Sequence, residues 1–536
     1  MSKNSSTIKW IASNVSKGGK RTLVFLTLLT ILNSALTTLS ALITMGLVNT
    51  AVEKGNILSY VIYYGVFIVL TLVIQILEVY YANKLTIKSD IELRQKMLNT
   101  VMEKDYRKVQ SFHSGDVLAR ATTDVSVVSN GFSGILPAFC GILVKIITAL
   151  CVMFILDWQL GLVLVIVAPI TVFASRFYGK RIKKYHKQSQ VIESENRSFF
   201  TEAVQNMTVI RAFRNESPIY DYYSRIQQKG YKIKMKLNVY SLIANVLMFL
   251  SVSLLYYFAL IWGTYRVASG LLAIGNLTAI LQLVLQFQSP FRSLSGIINS
   301  FYKMIASGER LREFTSLPVE QNQKSTYDDY DEFCQVDGKN LSFSYDNTPI
   351  INNLNFSIKK GEFVGISGHS GIGKSTLLKL IIGLLIPSTG EINVIGKRGN
   401  MDTRSLFSYV PQGNMILSGT IRENLCFFNT NIEEKVIKNA LQLCCLDEVI
   451  YSLPNGLDER IGEKGTGLSE GQVQRLSIAR ALIMGKKILL LDEATASLDE
   501  TTERKVINNL KNQDYTIIMV THHSAILNDC DRVIRL

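Results

Sequence analysis

Long apolar runs separated by polar, basic segments fill the first part of the chain. A bilayer crossing needs about 20 mostly apolar residues, and core helices of soluble proteins do not stay almost free of charge over six such runs. The pattern therefore predicts six transmembrane helices, at residues 22–52, 55–83, 132–156, 158–180, 237–265 and 267–291.

Two long segments between these runs, 84–131 and 176–236, also carry large apolar residues at helical spacing. They predict membrane helices that continue into the cytoplasm and return as hairpins. A turn is predicted near residues 112–116 in the first hairpin, and at Asn206 and Met207 in the second. Because regularly spaced apolar residues need cover, we expect the hairpin tips to meet another domain.

The basic residues indicate which side of the membrane each segment occupies. The connections after the first, third and fifth runs are short and nearly neutral, whereas residues 180–187 contain five Lys or Arg. Since Lys and Arg stay on the cytoplasmic side, the chain is predicted to be a multi-pass cell-membrane protein with both termini in the cytoplasm. No cleavable signal peptide is expected, because the first apolar run is too long.

Composition agrees with a membrane part and argues against nucleic acid as a partner. The chain has 48% hydrophobic residues and a net charge of +14. From Cys334 onward basic and acidic residues balance, so the whole positive excess lies in the apolar part. A nucleic-acid-binding ATPase would carry its basic patch on or near the nucleotide-binding part, so a lipid bilayer is predicted instead. The seven cysteines lack metal-ligand spacing.

A glycine-rich stretch lies between a predicted strand and a predicted helix and matches the phosphate-binding pattern G-x-x-x-x-G-K-[ST]. Its glycines let successive backbone N–H groups point at phosphate oxygens, and the following helix adds its positive end. Lys374 is expected to reach the β- and γ-phosphates, and Ser375 to hold Mg²⁺. The candidate nucleotide-binding residues here are Gly368, Ser370, Gly371, Gly373, Lys374, Ser375 and Thr376.

An apolar strand pattern at residues 488–491 ends in two carboxylates, Asp492 and Glu493. An acid at the end of such a strand coordinates Mg²⁺ directly or through water, and we assign this role to Asp492. Glu493, one residue later, is then placed to polarise the attacking water as a general base.

Leu468-Ser469-Glu470-Gly471-Gln472 opens a further predicted helix. Together with the phosphate loop and the paired acids, it resembles the nucleotide-binding domain of ATP-binding cassette (ABC) proteins, whose signature is LSGGQ. Glu470 replaces the first of the two internal glycines. In that family two domains meet head to tail, which implies that Ser469, Gly471 and Gln472 complete the ATP site of a second subunit.

The resemblance extends to further residues of this half. Tyr345 matches the aromatic residue that stacks on adenine, an interaction worth about 1–3 kcal/mol. Gln412 matches the Q-loop glutamine that touches Mg²⁺, and Asp499 matches the D-loop aspartate. His522 matches the switch histidine that contacts the γ-phosphate. His523 is the alternative in the next register, but the Thr-His order favours His522.

The apolar half is similar to the six-helix exporter type of this family, in which a membrane domain and one ATPase share a chain. The fold class implied is a six-span α-helical transmembrane domain (1–317), a linker (318–333) and an α/β P-loop NTPase domain with a helical subdomain (334–536). No room is left for an N-terminal cysteine-peptidase domain, so cleavage of a peptide cargo is not expected. The coupling residues implied are Gly115, Asp116, Asn206, Met207, Glu463 and Asp499.

The resemblance implies ATP-driven alternating access in a dimer, with ATP and Mg²⁺ as cofactors and Glu493, His522 and Lys374 as catalytic residues. A homodimer is favoured because one chain carries a full set of motifs, and a heterodimer with a related half is the alternative. The cargo expected is amphipathic or hydrophobic, such as a drug, lipid or peptide. The alternative function is an ATP-gated channel or membrane regulator without uphill transport.

Polar residues inside the predicted spans are candidates for the cargo pathway. Simpler explanations stand beside this one: Glu78 lies towards the cytoplasmic end of its span, and glutamines form helix–helix hydrogen bonds in membranes. Lys145 would cost about 2.5–3.5 kcal/mol if it faced lipid, so it is expected to face protein, water or headgroups. The candidates are Asn33, Thr37, Gln75, Glu78, Lys145, Gln282 and Gln286.

Overall fold

The structure is a computed structural model, which describes residues 2–286, 288–320, 333–345, 348–397, 399–400, 403–413, 416–462, 465 and 467–536. Only the backbone is described for residues 2–4, 164, 167–180, 248, 252, 288–292, 295, 399–400, 403 and 405. The chain divides into two units. The first comprises Met1–Met102 and His113–Leu317, and the second comprises Glu103–Phe112 and Pro318–Leu536.

The first unit is helical. Its described helices, with α4 of the second unit included for chain order, are α1 (Ser2–Asn14), α2 (Lys17–Val52), α3 (Leu58–Glu103), α4 (Tyr106–Gln110), α5 (Ser114–Ala119), α6 (Val125–Leu156), α7 (Trp158–Gln205), α8 (Met207–Ala212), α9 (Glu216–Ala268), α10 (Ile274–Gln286) and α11 (Gln288–Thr315). A π-helical turn (Arg120–Asp124) joins α5 to α6.

Within the described residues, four helical stretches are long and apolar enough to cross a membrane: Lys17–Val52, Leu58–Glu103, Ser114–Leu156 and Glu216–Ala268. On α3, the large apolar side chains Val61, Val66, Val69 and Ile76 are each more than half exposed, a surface suited to lipid and not to water. The predicted spans at 158–180 and 267–291 fall on α7 and on α10 with the start of α11, and their membrane crossing stays a prediction.

The predicted connection at Arg266, between the fifth and sixth spans, is wrong. Helix α9 continues to Ala268, and the chain reverses through residues 269–273, where Gly270 has a φ of +70°. The helix continues past Arg266 because the charged side chain has polar partners on another helix and at its N-cap. Its guanidinium donates to Gln159 Oε1 at 2.7 Å and lies 3.8 Å from the buried carboxylate of Asp157.

The predicted first turn, near residues 112–116, is confirmed at Phe112 and His113, which lie between the end of α4 at Gln110 and the start of α5 at Ser114. The reversal uses α4, whose N-cap Asp105 accepts a hydrogen bond from the Lys108 N–H at 3.0 Å. Gly115 and Asp116 lie on the returning helix α5, where an acid in the first turn is favoured by the helix dipole. The second turn lies where it was predicted, since Asn206 ends α7 and Met207 begins α8.

The second unit is an α/β structure with two main sheets. Its strands are β1 (Phe333–Tyr345), β2 (Thr348–Lys359), β3 (Phe363–Ser367), β4 (Thr389–Gly396), β5 (Gly399–Asn400), β6 (Phe407–Val410), β7 (Gly419–Thr420), β8 (Arg460–Ile461), β9 (Ile488–Asp492), β10 (Thr516–Val520) and β11 (Arg532–Arg535). An antiparallel sheet has the order β2-β1-β4-β5, and a parallel sheet has the order β11-β3-β10-β9-β6.

Its helices follow from the same pattern of apolar positions, and several carry side-chain caps. They are α12 (Lys374–Ile381), α13 (Thr403–Leu406), α14 (Ile421–Cys426), α15 (Glu434–Leu443), α16 (Asp447–Tyr451), α17 (Glu470–Ile483), α18 (Glu500–Lys511) and α19 (Ser524–Asn528), with a 3₁₀ turn at Gly456–Asp458. Helices α14 to α17 form the helical subdomain around a shared apolar cluster.

The side chains of the central strand β9 alternate between two apolar clusters, one on each face of the parallel sheet. Because successive side chains of a strand point to opposite faces, Leu489 and Leu491 join the apolar cluster on the side of the helical subdomain. Ile488 and Leu490 join the cluster between the two sheets. All five residues of β9 are buried, as expected for a parallel strand covered on both faces. The buried parallel sheet therefore fixes the positions of the residues at its strand ends.

Residues 103–112 pack as an integral part of this unit. Tyr106 lies against the cluster between the sheets, and the Arg107 guanidinium lies 5.6 Å from the centre of the Phe343 ring. An isolated bridge pairs Lys104 with Val319. These contacts explain why this segment belongs to the second unit although the helices on either side of it belong to the first.

Candidate active site

The phosphate loop connects β3, which ends at Ser367, to α12, which begins at Lys374. Gly371 and Gly373 have φ angles of +81° and +111°, a region that residues with a Cβ rarely adopt. A Cβ at Gly373 would also lie 2.6 Å from Ile350 Cγ2. The loop therefore needs glycine at position 373 for two separate reasons. Gly368 and Ser370 lie in the same loop, and Thr376 is half-buried on the first turn of α12.

Lys374 folds back over this loop and is only 6% exposed. Its Nζ donates hydrogen bonds to the carbonyl oxygens of Gly368 at 2.9 Å and His369 at 3.1 Å. The ammonium group is thus held inside the backbone loop that a phosphate would enter. A contact between this ammonium and a charged phosphate would be stronger than its present contacts with neutral carbonyl oxygens.

Asp492 ends β9 and is 1% exposed. Its Oδ1 accepts a hydrogen bond from the Ser375 hydroxyl at 3.0 Å, and its Oδ2 accepts one from the Tyr409 hydroxyl at 3.1 Å. Burial raises the pKa of Asp492, while the two hydrogen bonds oppose that rise. Burial and the neighbouring carboxylate raise the pKa of Tyr409 as well, so this phenol stays a hydrogen-bond donor.

The pair formed by Ser375 and Asp492 fits a magnesium ion. Mg²⁺ takes oxygen ligands at about 2.0–2.1 Å in octahedral geometry, so two adjacent ligand oxygens lie about 3 Å apart. The Ser375 Oγ to Asp492 Oδ1 distance of 3.0 Å matches that spacing. Among the described residues no group of three or more His, Cys, Asp or Glu is arranged to hold a metal.

Glu493 lies directly after β9 with a φ of +51°. A non-glycine residue in this left-handed region stores strain and is concentrated at functional sites. Its Oε2 accepts a hydrogen bond from Gln412 Nε2 at 2.6 Å, and its Oε1 lies 3.2 Å from His522 Nε2. The side chain is 22% exposed, so water reaches it. Three predicted residues from separate segments therefore meet at one carboxylate.

The two neighbouring histidines have different partners. His522 faces Glu493, whereas His523 Nδ1 lies 2.6 Å from Oε2 of the buried Glu503. Glu503 is held from its other oxygen by the Thr495 hydroxyl at 2.5 Å. Of the two registers considered from the sequence, the one that uses His522 places the imidazole against the candidate base.

No described contact joins the signature residues to Glu493 or to its partners Gln412 and His522. The Ser469 hydroxyl accepts from the Gln472 N–H at 3.3 Å, and the Gln472 side chain accepts from the Ser469 N–H at 2.8 Å, which forms a capping box on α17. A Cβ at Gly471 would lie 3.0 Å from the Ser497 carbonyl oxygen. This end of α17 is thus packed against the segment that precedes Asp499.

Two further predicted residues, Asp499 and Tyr345, have simpler settings. Asp499 is the N-cap of α18 and accepts from the Thr502 N–H at 2.9 Å, and hydrogen bonds from Thr501 and Thr502 lower its pKa. Tyr345 ends β1 and packs edge-on against Phe343, with ring centres 4.9 Å apart. Glu463 lies outside the described residues.

The predicted pathway residues lie in the first unit and are spread over several helices. Glu78 on α3 accepts hydrogen bonds from Thr30 and Asn33 on α2, both at 2.8 Å. Gln282 on α10 donates to the Ser40 hydroxyl at 3.1 Å. Gln75 is exposed, and Lys145 and Gln286 are half-buried on α6 and α10.

The structure adds two features to the sequence argument. The first is Tyr409, three residues before Gln412, whose hydroxyl holds Asp492. The second is a buried ionic cluster around Arg120, which is 5% exposed, bonds Asp116 at 2.8 Å and lies 3.2 Å from Glu313. The signal for Arg120 was its spacing of four residues from Asp116, which places both on one helix face.

Comparisons with known proteins agree with both halves of the chain. The model of the ABC transporter transmembrane region matches residues 23–291, and the ABC transporter model matches residues 351–496. A putative export ATP-binding/permease protein of Rickettsia felis is 27% identical over 506 residues, covering 91% of this chain and 87% of that protein.

Two further relatives and one solved structure extend the likeness. An ATP-dependent lipid A-core flippase of Syntrophus aciditrophicus is 27% identical, with 83% of this chain and 75% of that protein covered. A probable multidrug resistance ABC transporter ATP-binding/permease protein of Bacillus subtilis is 27% identical, with 88% and 83% covered. The structure of a bacterial Atm1-family ABC exporter with ATP bound matches with a TM-score of 0.80 at 20% identity, covering 96% of this chain and 93% of that one.

Proposed function

The chain belongs to the ABC transporters, with the membrane region and the ATPase of an exporter-type half-transporter in one polypeptide, and we propose that it exports an amphipathic or hydrophobic molecule as a homodimer. It is a multi-pass membrane protein and an ATPase coupled to transport. The proposal concerns its cargo, its assembly, its orientation and the residues that carry out hydrolysis.

The observation that carries the proposal is the convergence on Glu493. Its two carboxylate oxygens are held by Gln412 and His522, and its backbone is strained into the left-handed region. Asp492, the preceding residue, accepts a hydrogen bond from Ser375. A carboxylate held in this way, partly open to water and next to a phosphate loop, suits a general base for hydrolysis.

Hydrolysis then proceeds as a transfer of the γ-phosphoryl group to water. Glu493 takes a proton from the water as its oxygen attacks phosphorus, and the bond from phosphorus to the ADP oxygen breaks. Lys374 neutralises phosphate charge inside the loop, and His522 orients Glu493 and reaches the γ-phosphate. Tyr345 stacks on the base. The signature residues Ser469, Gly471 and Gln472 of the other subunit close over the same nucleotide.

Ser375, Asp492 and Gln412 are the residues proposed to hold Mg²⁺, which when bound neutralises developing charge on the phosphates. Tyr409 orients Asp492 by donating to the oxygen that Ser375 does not use. Such outer contacts typically change metal affinity by about 10–100-fold when removed.

Replacing Tyr409 by Phe is therefore expected to raise the half-saturating Mg²⁺ concentration by about tenfold. The effect should also appear in the binding of Mn²⁺ with ATP, measured by electron paramagnetic resonance without turnover. Tyr515→Phe is the matched control, because Tyr515 is another half-buried tyrosine whose pKa burial raises, and the Lys487 ammonium lies over its ring. Equal metal affinity in Tyr409→Phe and Tyr515→Phe would contradict the role of Tyr409.

The proposed orientation places both termini and the ATPase in the cytoplasm, since the basic residues cluster in the segments before the first span and after the second, fourth and sixth. A homodimer is proposed because a single chain contains a phosphate loop, an acid pair, a switch histidine and a signature. The coupling residues proposed are Gly115, Asp116, Asn206, Met207, Glu463 and Asp499.

The class of cargo is supported by two observations. Two relatives are named as an ATP-dependent lipid A-core flippase and as a probable multidrug resistance ABC transporter. The membrane helices carry few charges, which suits cargo that enters from the lipid. Asn33, Gln75, Glu78, Lys145, Gln282 and Gln286 are proposed as pathway residues.

The test is ATP-driven accumulation in liposomes. Purified protein is reconstituted, and the uptake of a fluorescent phospholipid, a hydrophobic dye and a hydrophobic peptide is followed with MgATP outside. The proposal expects at least one probe to accumulate against its gradient, and the Glu493→Gln variant to show none. Movement only down a gradient, supported equally by a non-hydrolysable ATP analogue, would favour the ATP-gated channel and overturn the exporter proposal.

A further inference from the structure

We infer that a polar stripe on α2, headed by Glu78 of α3, binds cargo that carries a positive charge and hydrogen-bond donors. The stripe comprises Thr30, Asn33, Thr37, Ser40 and Thr44, which we call the acceptor stripe. The inference rests on the proposed function and goes beyond it by assigning the charge and hydrogen-bonding class of the cargo and the surface that selects it.

Glu78 is the only carboxylate in the six predicted spans. In the described part of the chain its partners are neutral: Thr30 Oγ1 lies 2.8 Å from Oε1, and Asn33 Nδ2 donates to Oε2 at 2.8 Å. These two contacts fix the position of the carboxylate, and no described residue supplies it with a counter-ion. A carboxylate placed so in an apolar span attracts a cation, because opposite charges interact more strongly where water is scarce.

The depth of Glu78 follows from its neighbours. The rings of Phe25 on α2 and Tyr81 on α3 are in contact with centres 4.9 Å apart, and Lys84 Nζ lies 5.7 Å from the Tyr80 ring. Aromatic and basic residues together mark a membrane–water interface. Glu78 lies about one helical turn from Tyr81 on the apolar side. The carboxylate is thus at the depth where the charged end of an amphiphile in that leaflet would lie.

From Glu78 the acceptor stripe runs along one face of α2. Its members recur every three or four residues, which places them on one side of the helix, over about 20 Å. They are buried or half-buried, so the stripe faces protein or an enclosed path and not the open lipid. Polar side chains in such a position are common in transport pathways.

The hydroxyl groups of this stripe are oriented as acceptors. The Thr37, Ser40 and Thr44 hydroxyls donate to the backbone carbonyl oxygens of Ser34 at 3.0 Å, Thr37 at 2.8 Å and Ser40 at 3.1 Å, respectively. Since a hydroxyl has one hydrogen, each oxygen then offers only lone pairs to a ligand. Gln282 already uses one of them, because its amide donates to Ser40 Oγ at 3.1 Å.

A carboxylate followed by hydroxyl oxygens that only accept is complementary to an ammonium or guanidinium group. An anionic headgroup would meet repulsion at Glu78 and would find few donors along the stripe. The stripe therefore favours cationic amphiphiles over neutral or anionic ones of the same size.

The test measures ligand binding without ATP. Tetraphenylphosphonium and tetraphenylborate have the same shape and opposite charge, and dodecylammonium adds N–H donors. Equilibrium dialysis against the purified full-length protein is expected to show tighter binding of the cations. Glu78→Gln should weaken tetraphenylphosphonium binding by about tenfold, the loss expected for a contact to a charged group, and should leave tetraphenylborate binding unchanged or stronger.

The matched control is Glu92→Gln, which removes a carboxylate from the same helix outside the predicted span, where it lies 3.9 Å from Lys88 Nζ. It should bind all three probes like the wild type. Ser40→Ala with Thr37→Val should weaken dodecylammonium more than tetraphenylphosphonium. If Glu78→Gln fails to fold, Glu78→Asp keeps the charge and should keep the preference for cations.

Equal binding of tetraphenylphosphonium by the wild type and Glu78→Gln, or a wild-type preference for tetraphenylborate, would overturn the inference. Dialysis involves neither hydrolysis nor uptake, so its result is separate from the liposome experiment. Cation-selective binding that depends on Glu78, without ATP-driven uptake of any probe, would count against the exporter proposal and support the cation site.

Discussion

Replacing Glu493 by Gln is expected to lower the rate of ATP hydrolysis by about 10²- to 10⁴-fold, the usual contribution of a general base, while ATP binding is retained. An amide has nearly the shape of the carboxylate, so contacts with Gln412 and His522 can persist. It cannot take the proton of the attacking water. Hydrolysis should be measured as phosphate release, and binding with a fluorescent ATP analogue.

The chain supplies a matched control in Glu503, a second glutamate that faces a histidine. Glu503 is 1% exposed and lies 2.6 Å from His523 Nδ1. Glu503→Gln should lower stability, because it disturbs a buried hydrogen-bond network, and should leave turnover per folded molecule nearly unchanged. If Glu493→Gln hydrolysed ATP at the wild-type rate, or if Glu503→Gln lost as much activity, Glu493 would not be the base.

Much of the candidate site could be predicted because each motif follows a strand of one parallel sheet. The phosphate loop follows β3, Gln412 follows β6, the acid pair follows β9 and His522 follows β10. The carboxyl ends of parallel strands lie at one edge of a sheet, so motifs after four buried strands come together wherever the strands pair. The sequence contains the strand patterns, and the strand order β3-β10-β9-β6 places the motifs that follow these strands next to one another.

Contacts within that edge could not be predicted in the same way. The bond from Tyr409 to Asp492 depends on the register that pairs Tyr409 with Leu490, and nothing in either segment specifies that register alone. The same applies to Gln412 and Glu493, which were assigned to different roles and proved to share a hydrogen bond. Side-chain contacts between segments far apart in sequence need the assembled sheet.

In the membrane half, the ends of the helices are harder to predict than their positions. Apolar runs locate helices well, but their ends depend on whether a charged residue finds a partner. Arg266 interrupts an otherwise uncharged run, and the pattern therefore predicts a connection there. A lone arginine is costly in an apolar helix. Its contacts with Gln159 and Asp157, more than 100 residues earlier, remove that cost and let α9 continue to Ala268.

Replacing Ser469 by Ala is expected to slow ATP hydrolysis by at least about tenfold, because a hydrogen bond to a charged phosphate is worth about 1.5–3 kcal/mol. Among the described residues, the Ser469 side chain hydrogen-bonds with the first turn of α17, so a loss of activity would support the proposed action of Ser469 on the nucleotide of a second subunit. ATP binding to the phosphate loop of the same chain should change little.

Ser469 also caps α17, and its replacement costs about 1 kcal/mol of stability for that reason alone. Thr420→Ala separates the two effects. Thr420 and Glu423 form an equivalent capping box on α14, with hydrogen bonds of 3.0 and 2.8 Å. Both variants should lower the melting temperature by similar amounts, and only Ser469→Ala should lose turnover when activity is measured well below melting. A similar loss of turnover in both variants would assign Ser469 to capping and remove the main argument for an ATP site shared between two chains.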